Sequence, residues 1–124
     1  MTAESGLRAR RVGAQIREAL TDLIAREVSD PKLAGLMITG VELPDDLGVA
    51  RVNVRLIVDD ADARRVVMAH LERVRSRLRR GIGGRLRLKR IPDLRFVYDT
   101  GVDRTLRVEE LLAEIAAEDK QRRP

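Results

Sequence analysis

The sequence has 124 residues, with 25 basic and 20 acidic side chains, one histidine and no cysteine. This length suits a single domain with a modest core, and the missing cysteines exclude disulfides, thiolate metal sites and cysteine nucleophiles. One histidine excludes a two-histidine metal site, and no apolar run is long enough for a membrane span or a signal peptide, so we expect a soluble cytoplasmic protein.

The first predicted element is an amphipathic helix over residues 8–28. Val12, Ile16 and Leu20 recur at helical spacing, and charged residues lie between them. Pro31 cannot continue this helix. We expect residues 1–7, which precede it, to be disordered.

A β-hairpin is predicted next. Residues 36–43 form a short apolar run, residues 44–48 contain a turn sequence with Pro44 and Gly48, and residues 50–58 alternate apolar and polar side chains. This period of two indicates that only one face of the second strand is buried.

A long helix, or two helices in series, is predicted over residues 61–82. Acidic residues mark its start, and an apolar stripe follows at spacings of three and four. Residues 94–98 then indicate a third strand, and apolar residues between Leu106 and Ile115 indicate a short final helix. We expect residues 116–124 to form a flexible charged tail.

The predicted order is therefore helix, two strands, a helix or helix pair, a strand and a helix. A hairpin followed by a helical crossover into a third strand is typical of a small α+β sandwich, with the helices on one face of the sheet and the other face open. Phe96 and Tyr98 share one face of the third strand, where we expect them to complete the core. Two aromatic residues are too few for a base-stacking platform.

The positive charge is concentrated in one part of the chain. Residues 73–95 hold ten basic residues and one acidic residue, a net charge of +9, whereas the other 101 residues carry a net −4. Such a patch attracts a polyanion, and 22 of the 25 basic residues are arginines, whose planar fork binds phosphate in a bidentate manner. A solvated arginine-rich helix face is the alternative interpretation.

We expect one face of the long helix to be cationic and the opposite face, with Val74 and Leu78, to pack into the core. The predicted RNA-binding residues are Arg73, Arg75, Arg77, Arg79, Arg80, Arg85, Arg87, Lys89 and Arg90. A secondary basic patch is predicted at the start of the first helix, at Arg8, Arg10 and Arg11.

Other motifs indicate structure more than chemistry. Residues 81–84 spell G-x-x-G, the backbone-clamping loop of KH domains, but Pro92 follows too soon for a second helix, so we expect these glycines to end the helix. His70 has no nucleophile partner within a helical turn, and helix capping and turn formation explain the acidic clusters at residues 45–46 and 59–62. We therefore predict no enzyme, no metal site, no cofactor and no small-molecule substrate.

Five segments, in one collinear frame from about residue 8 to residue 115, resemble the ribosome-binding factor A family. They are Arg8-x-x-Arg11-Val12, Val28-Ser29-Asp30-Pro31-Lys32-Leu33, Val41-Glu42 with Asp46-Leu47, Ala50-Arg51-Val52-x-Val54, and Ile91-Pro92-Asp93-Leu94-x-Phe96-x-Tyr98-Asp99. The resemblance implies one α+β, KH-like domain of the bacterial type II over residues 8–115, with a kinked helix pair and a short C-terminal helix, and without a functional G-x-x-G loop.

The resemblance also implies a function. Members of this family are non-enzymatic, monomeric assembly factors that bind the free 30S subunit and its 16S rRNA late in maturation, and they assist 5′-end processing and cold adaptation. A general binder of nucleic-acid phosphates, on DNA or RNA, remains the alternative.

The family's helix kink carries an Ala-x-Gly signature. In this sequence the signature falls on Val74, Arg75 and Ser76. Val74 stands in place of the Ala, and Ser76 stands in place of the Gly. We predict that the helix is still interrupted or bent near Ser76.

Overall fold

Helices and strands follow one another along the chain in the predicted order. The computed structural model describes residues 3–27, 33, 35–101 and 112–118. Its elements are α1 (Ala3–Glu27), β1 (Leu36–Glu42), β2 (Val49–Leu56), α2 (Ala61–Arg85) and β3 (Asp93–Tyr98). Residues 112–118 are also helical. The predicted order of elements is therefore confirmed, and no described helix is long and apolar enough to cross a membrane.

The sheet has the order β1-β2-β3. β1 and β2 are antiparallel neighbours joined by the predicted turn, in which the Asp46 carboxylate accepts a hydrogen bond from the Gly48 amide. β2 and β3 are parallel, as expected for strands joined by a crossover helix. The register between β1 and β2 shifts between Ile38 and Gly40.

The core lies between the helices and one face of the sheet. Every third or fourth residue of α1 from Ala9 to Ile24 is buried there, and Ile16 and Leu20 are fully buried. The apolar stripe of α2 packs beside it, and so do alternate residues of the strands. Phe96 is buried, and Tyr98 packs against the same cluster while its hydroxyl accepts a hydrogen bond from the Leu56 amide, so both aromatics serve the core as predicted.

The ends of the chain differ from the prediction. α1 begins at Ala3, so residues 3–7 are helical where the sequence predicts disorder. Helix 112–118 includes the first three residues of the predicted tail, and the remainder, 119–124, lies outside the described residues. The predicted start of the final helix near Leu106 also lies outside them.

α2 is one unbroken helix that begins where the acidic residues predict. The Asp60 carboxylate accepts a hydrogen bond from the Ala63 amide at 2.7 Å and so caps the helix. The interruption predicted at Val74, Arg75 and Ser76 is absent. Val74 is buried and Ser76 is exposed, and neither side chain interrupts the helix. A bend of the axis at Ser76 stays a prediction.

The glycines near the end of α2 do not end it, contrary to the prediction. Gly81, Gly83 and Gly84 are all helical, and the chain becomes extended only at Leu86. Gly81 instead permits a close helix crossing, because a Cβ at this position would lie 2.9 Å from both Cδ atoms of Leu23 in α1. The G-x-x-G sequence is therefore part of a helix and forms no loop.

The second face of the sheet is only partly open, which corrects another expectation: Met37 and Arg55 are exposed on it, but the middle of β2 is covered. Arg51 and Asn53 of β2 point to that face and are 6% and 1% exposed. Helix 112–118 lies beside the same face, since its Glu118 pairs with Arg95 of β3 and its Ile115 is buried. The Asn53 amide also donates a hydrogen bond to Glu42 at 2.5 Å, which satisfies part of this buried polar group.

Candidate nucleic-acid interface

The basic side chains of α2 are arranged on the face opposite the core. Val74, Leu78 and Ile82 are buried, whereas Arg73, Arg77 and Arg80 are exposed. We call these three arginines the outward face of α2. The structure therefore confirms that one face of α2 packs into the core and that the opposite face carries exposed arginines.

At least three of the nine predicted RNA-binding residues already have partners within the protein. Arg75 lies 3.6 Å from the Glu72 carboxylate, one turn earlier in α2. Arg85 donates a hydrogen bond to Asp22 of α1. Arg79 donates two hydrogen bonds to backbone carbonyls, at 2.8 Å to Ile91 and 3.2 Å to Pro92. These side chains are less available to a phosphate than their exposure suggests.

The hydrogen bond between Arg85 and Asp22 changes the pKa of the Asp22 carboxyl. The hydrogen bond and the charge of Arg85 lower the pKa of the Asp22 carboxyl below its ordinary value. Asp22 is a residue that sequence reasoning missed, because it lies 63 positions from its partner and no local pattern connects the two. Asp22 competes with any external phosphate for the Arg85 guanidinium.

Four of the nine predicted residues have no carboxylate partner among the residues that the structure describes. Arg73 and Arg80 belong to the outward face, and Arg87 and Lys89 lie in residues 86–92, which we call the α2–β3 connection. All four are exposed. An arginine or lysine without an internal partner keeps its full charge for an external anion.

The secondary basic patch lies near the N-terminal end of α1. Gly13 of α1 approaches the backbone oxygen of Val41 at the end of β1, which is also the end at which β2 and β3 begin. An open groove of about 860 Å³ runs along α1 from Ala14 to Ala25, and Arg85 and Leu86 also line it. The exposed Arg8, Arg10 and Arg11 precede this groove by about one helical turn.

The remaining candidates have structural roles. His70 is half-buried on α2. The Arg64 guanidinium donates two hydrogen bonds of 2.7 Å to the Asp59 carboxylate. These bonds lower the pKa of the Asp59 carboxyl and raise the pKa of the Arg64 guanidinium. The Arg64 guanidinium also lies 4.4 Å from the centre of the Tyr98 ring. No group of three or more potential metal ligands occurs within the described part of the chain.

Comparison with known proteins identifies the chain's relatives. The family model of ribosome-binding factor A matches residues 8–112. Ribosome-binding factor A of Sorangium cellulosum is 44% identical over 110 residues, which cover 87% of this chain and 88% of that protein. The same factor from a Roseiflexus species is 38% identical over 112 residues, 90% of this chain and 85% of the relative.

Solved structures agree with these sequence matches. The crystal structure of ribosome-binding factor A from Thermus thermophilus has a TM-score of 0.62 at 29% identity, covering 73% of this chain and 94% of that one. A Thermotoga maritima protein described as a putative ribosome-binding factor A gives 0.66 at 26% identity, over 77% and 91%. A homology model of the Thermus protein, fitted into a cryo-EM map of its complex with the 30S subunit, gives 0.59 at 29% identity, over 72% and 92%.

These matches confirm the resemblance drawn from the five sequence segments. They also confirm the expected α+β, KH-like fold. The chain belongs to the ribosome-binding factor A family.

Proposed function

We propose that this protein is a ribosome assembly factor that binds the free 30S subunit and its 16S rRNA late in maturation and assists processing of the 16S rRNA 5′ end. It acts in the cytoplasm as a monomer, without catalysis and without a cofactor, and it supports growth in the cold. Family membership and the 30S complex of the Thermus relative support this proposal.

One observation carries the proposal for this particular chain. The side chains of Arg73, Arg80, Arg87 and Lys89 are exposed and have no carboxylate partner among the described residues. They follow one helix face and the connection after it, so they present a row of cations to a phosphate backbone. Phosphate contacts of this kind fix position and supply affinity without reading sequence.

The secondary patch extends the proposed surface. Arg8, Arg10 and Arg11 precede the groove along α1, and Leu86 of the α2–β3 connection lines the same groove. A folded RNA that follows this groove contacts both patches. The engaged Arg75, Arg79 and Arg85 contribute less to direct phosphate binding.

Co-sedimentation tests the proposal against its alternative. We expect the protein to travel with purified free 30S subunits, and to be scarce on whole ribosomes and on duplex DNA of equal phosphate concentration. Equal retention on DNA and on 30S subunits would favour the alternative, a general binder of nucleic-acid phosphates. No retention on 30S subunits at low salt would refute the proposal.

The processing role has its own test. In cells depleted of the protein, we expect 16S rRNA with an unprocessed 5′ end to accumulate, more strongly in the cold. The wild-type chain should restore processing, and a chain with Arg73→Gln and Arg80→Gln should restore it poorly. Normal 5′ ends in depleted cells would contradict this part of the proposal.

A further inference from the structure

A cleft opens between the second half of α2 and the α2–β3 connection. It measures about 430 Å³, and it is lined by Ser76, Arg79, Arg80, Gly83 and Ile91. This volume falls within the range of about 300–1,000 Å³ that is typical of small-ligand sites. The cleft lies within the basic surface. Exposed cations can bind phosphates without a cleft, so phosphate binding alone does not explain its presence.

One wall of the cleft is a guanidinium held in place. Nε of Arg79 donates to the Pro92 carbonyl and Nη2 donates to the Ile91 carbonyl, and these two bonds fix the plane of the group. Arg79 is nevertheless exposed. A fixed, accessible guanidinium plane is a surface on which an unstacked RNA base can lie, as it can on an aromatic ring.

A second part of the cleft is apolar. Ile91 is half-buried, and Gly83 stands so close to it that a Cβ at this glycine would lie 3.3 Å from the Ile91 Cγ1 atom. The missing side chain of Gly83 leaves the space next to Ile91 open. An apolar contact beside a guanidinium plane matches the flat, weakly polar face of a base.

The rim of the cleft carries groups for a phosphate and a ribose. Arg80 is exposed and has no carboxylate partner within the described ranges, so it can bind a phosphate. Ser76, one turn earlier on α2, is exposed and offers a hydroxyl that both donates and accepts hydrogen bonds. One nucleotide contains all three complementary parts: base, ribose and phosphate.

We propose that this cleft binds a single unpaired nucleotide of RNA, with its base against Arg79 and Ile91 and its phosphate at Arg80. The proposal rests on the proposed RNA-binding function and deepens it. The scarcity of aromatic residues excludes an aromatic stacking platform, but it does not exclude stacking on arginine. The protein then distinguishes RNA with an extruded nucleotide from a perfect duplex without reading a sequence.

The test uses the full chain and two RNA duplexes that differ by a single bulged nucleotide. We expect about five- to tenfold tighter binding of the bulged duplex, the lower end of what stacking of one base contributes. Ser76→Leu fills the cleft without changing the charge, so it should abolish the preference and keep the affinity for the perfect duplex. Ala69→Leu places the same side chain two turns away on the exposed side of α2, and it should keep the preference.

The outcomes separate the two proposals. Salt-dependent binding of both duplexes without a preference, or a preference that survives Ser76→Leu, would overturn the cleft and leave phosphate binding intact. Failure of the wild-type chain to bind either duplex at low salt would count against RNA binding itself. Thermal unfolding of both variants checks that a lost preference reflects a filled cleft and not a damaged fold.

Discussion

The two halves of α2 differ in how far acidic residues neutralise their arginines. In the first half, residues 61–72, Arg64 pairs with Asp59 at 2.7 Å and Arg65 pairs with Asp62 at 2.6 Å. In the second half, residues 73–85, there is no acidic residue, and Arg73 and Arg80 have no partner among the described residues. The same helix is therefore neutralised at one end and cationic at the other.

Helix electrostatics explains this difference. Acidic side chains are favourable at a helix N-terminus, where Asp60 caps α2, and basic side chains are favourable near the C-terminus. The acids that start α2 also neutralise the arginines near them. The segregation of charge that suits a phosphate surface thus follows from rules that stabilise the helix, and the presence of arginine alone does not identify the interface.

The largest expected effect is on the free energy of unfolding. It shows whether the two halves of α2 share one core and differ only in their surface charge. Leu71 in the first half and Leu78 in the second are 0% and 2% exposed in one continuous core. Leu71→Ala and Leu78→Ala should each lower the free energy of unfolding by about 2–5 kcal/mol, because each leaves a cavity. Chemical denaturation measures this, and a cost below about 1 kcal/mol for Leu78→Ala alone would mean that the second half is not part of the core.

The next effect concerns binding. Changing Arg73 and Arg80 together to Gln should weaken binding to 30S subunits by about 25- to 60-fold at about 0.1 M salt, because two phosphate contacts are lost. Changing Arg64 and Arg65 to Gln removes the same charge from the neutralised half and should leave the affinity nearly unchanged. Equal losses from the two double variants, measured by filter binding, would abolish the distinction between the halves.

A smaller effect is expected from an acid that neutralises one arginine of the second half. Asp22→Asn releases Arg85 from its hydrogen bond, so this arginine becomes available to a phosphate. RNA binding should tighten a few-fold, and the slope of log affinity against log salt should become more negative by about 0.7–0.9. An unchanged slope would show that Arg85 does not face the RNA.

The smallest effect is a shallow acid dependence of stability. The pKa values of Asp22 and Asp59 are lowered by hydrogen bonds from Arg85 and Arg64, so both pairs stabilise the fold above about pH 4 and lose this contribution as pH falls. The effect is limited because the pairs are accessible to solvent. The change in melting temperature between about pH 2 and pH 6 should be smaller for Asp22→Asn with Asp59→Asn than for the wild type. If the melting temperatures of the variant and the wild type change equally with pH, the two pairs do not contribute to the acid dependence of stability.

Local patterns predicted the elements of this fold well. The spacing of Val67, Leu71 and Val74 reveals the packing face of α2, and Asp60 marks its first turn, because both signals depend on neighbours within about two turns. The end of α2 was predicted wrongly. Gly81 serves a contact with Leu23, and only the packing of two helices reveals such a use.

The sequence predicts which residues of the candidate site are cationic. It does not predict which of these cations are free of partners within the protein and can bind a phosphate. The partners of Arg79 lie 12 and 13 positions away, so its role in holding the α2–β3 connection could not be read locally. The alternation in β2 likewise predicted an open second face, whereas Asn53 is buried in the folded chain. Tertiary contacts decide which polar groups remain available, and the linear sequence does not display them.

The salt dependence of binding to purified 30S subunits tests the central claim most directly. Four contacts from Arg73, Arg80, Arg87 and Lys89 predict a slope of log affinity against log salt of about −2.8 to −3.6, at about 0.7–0.9 per phosphate. A slope near zero would contradict the account, because it would mean that the exposed cations of α2 and its connection do not bind phosphates.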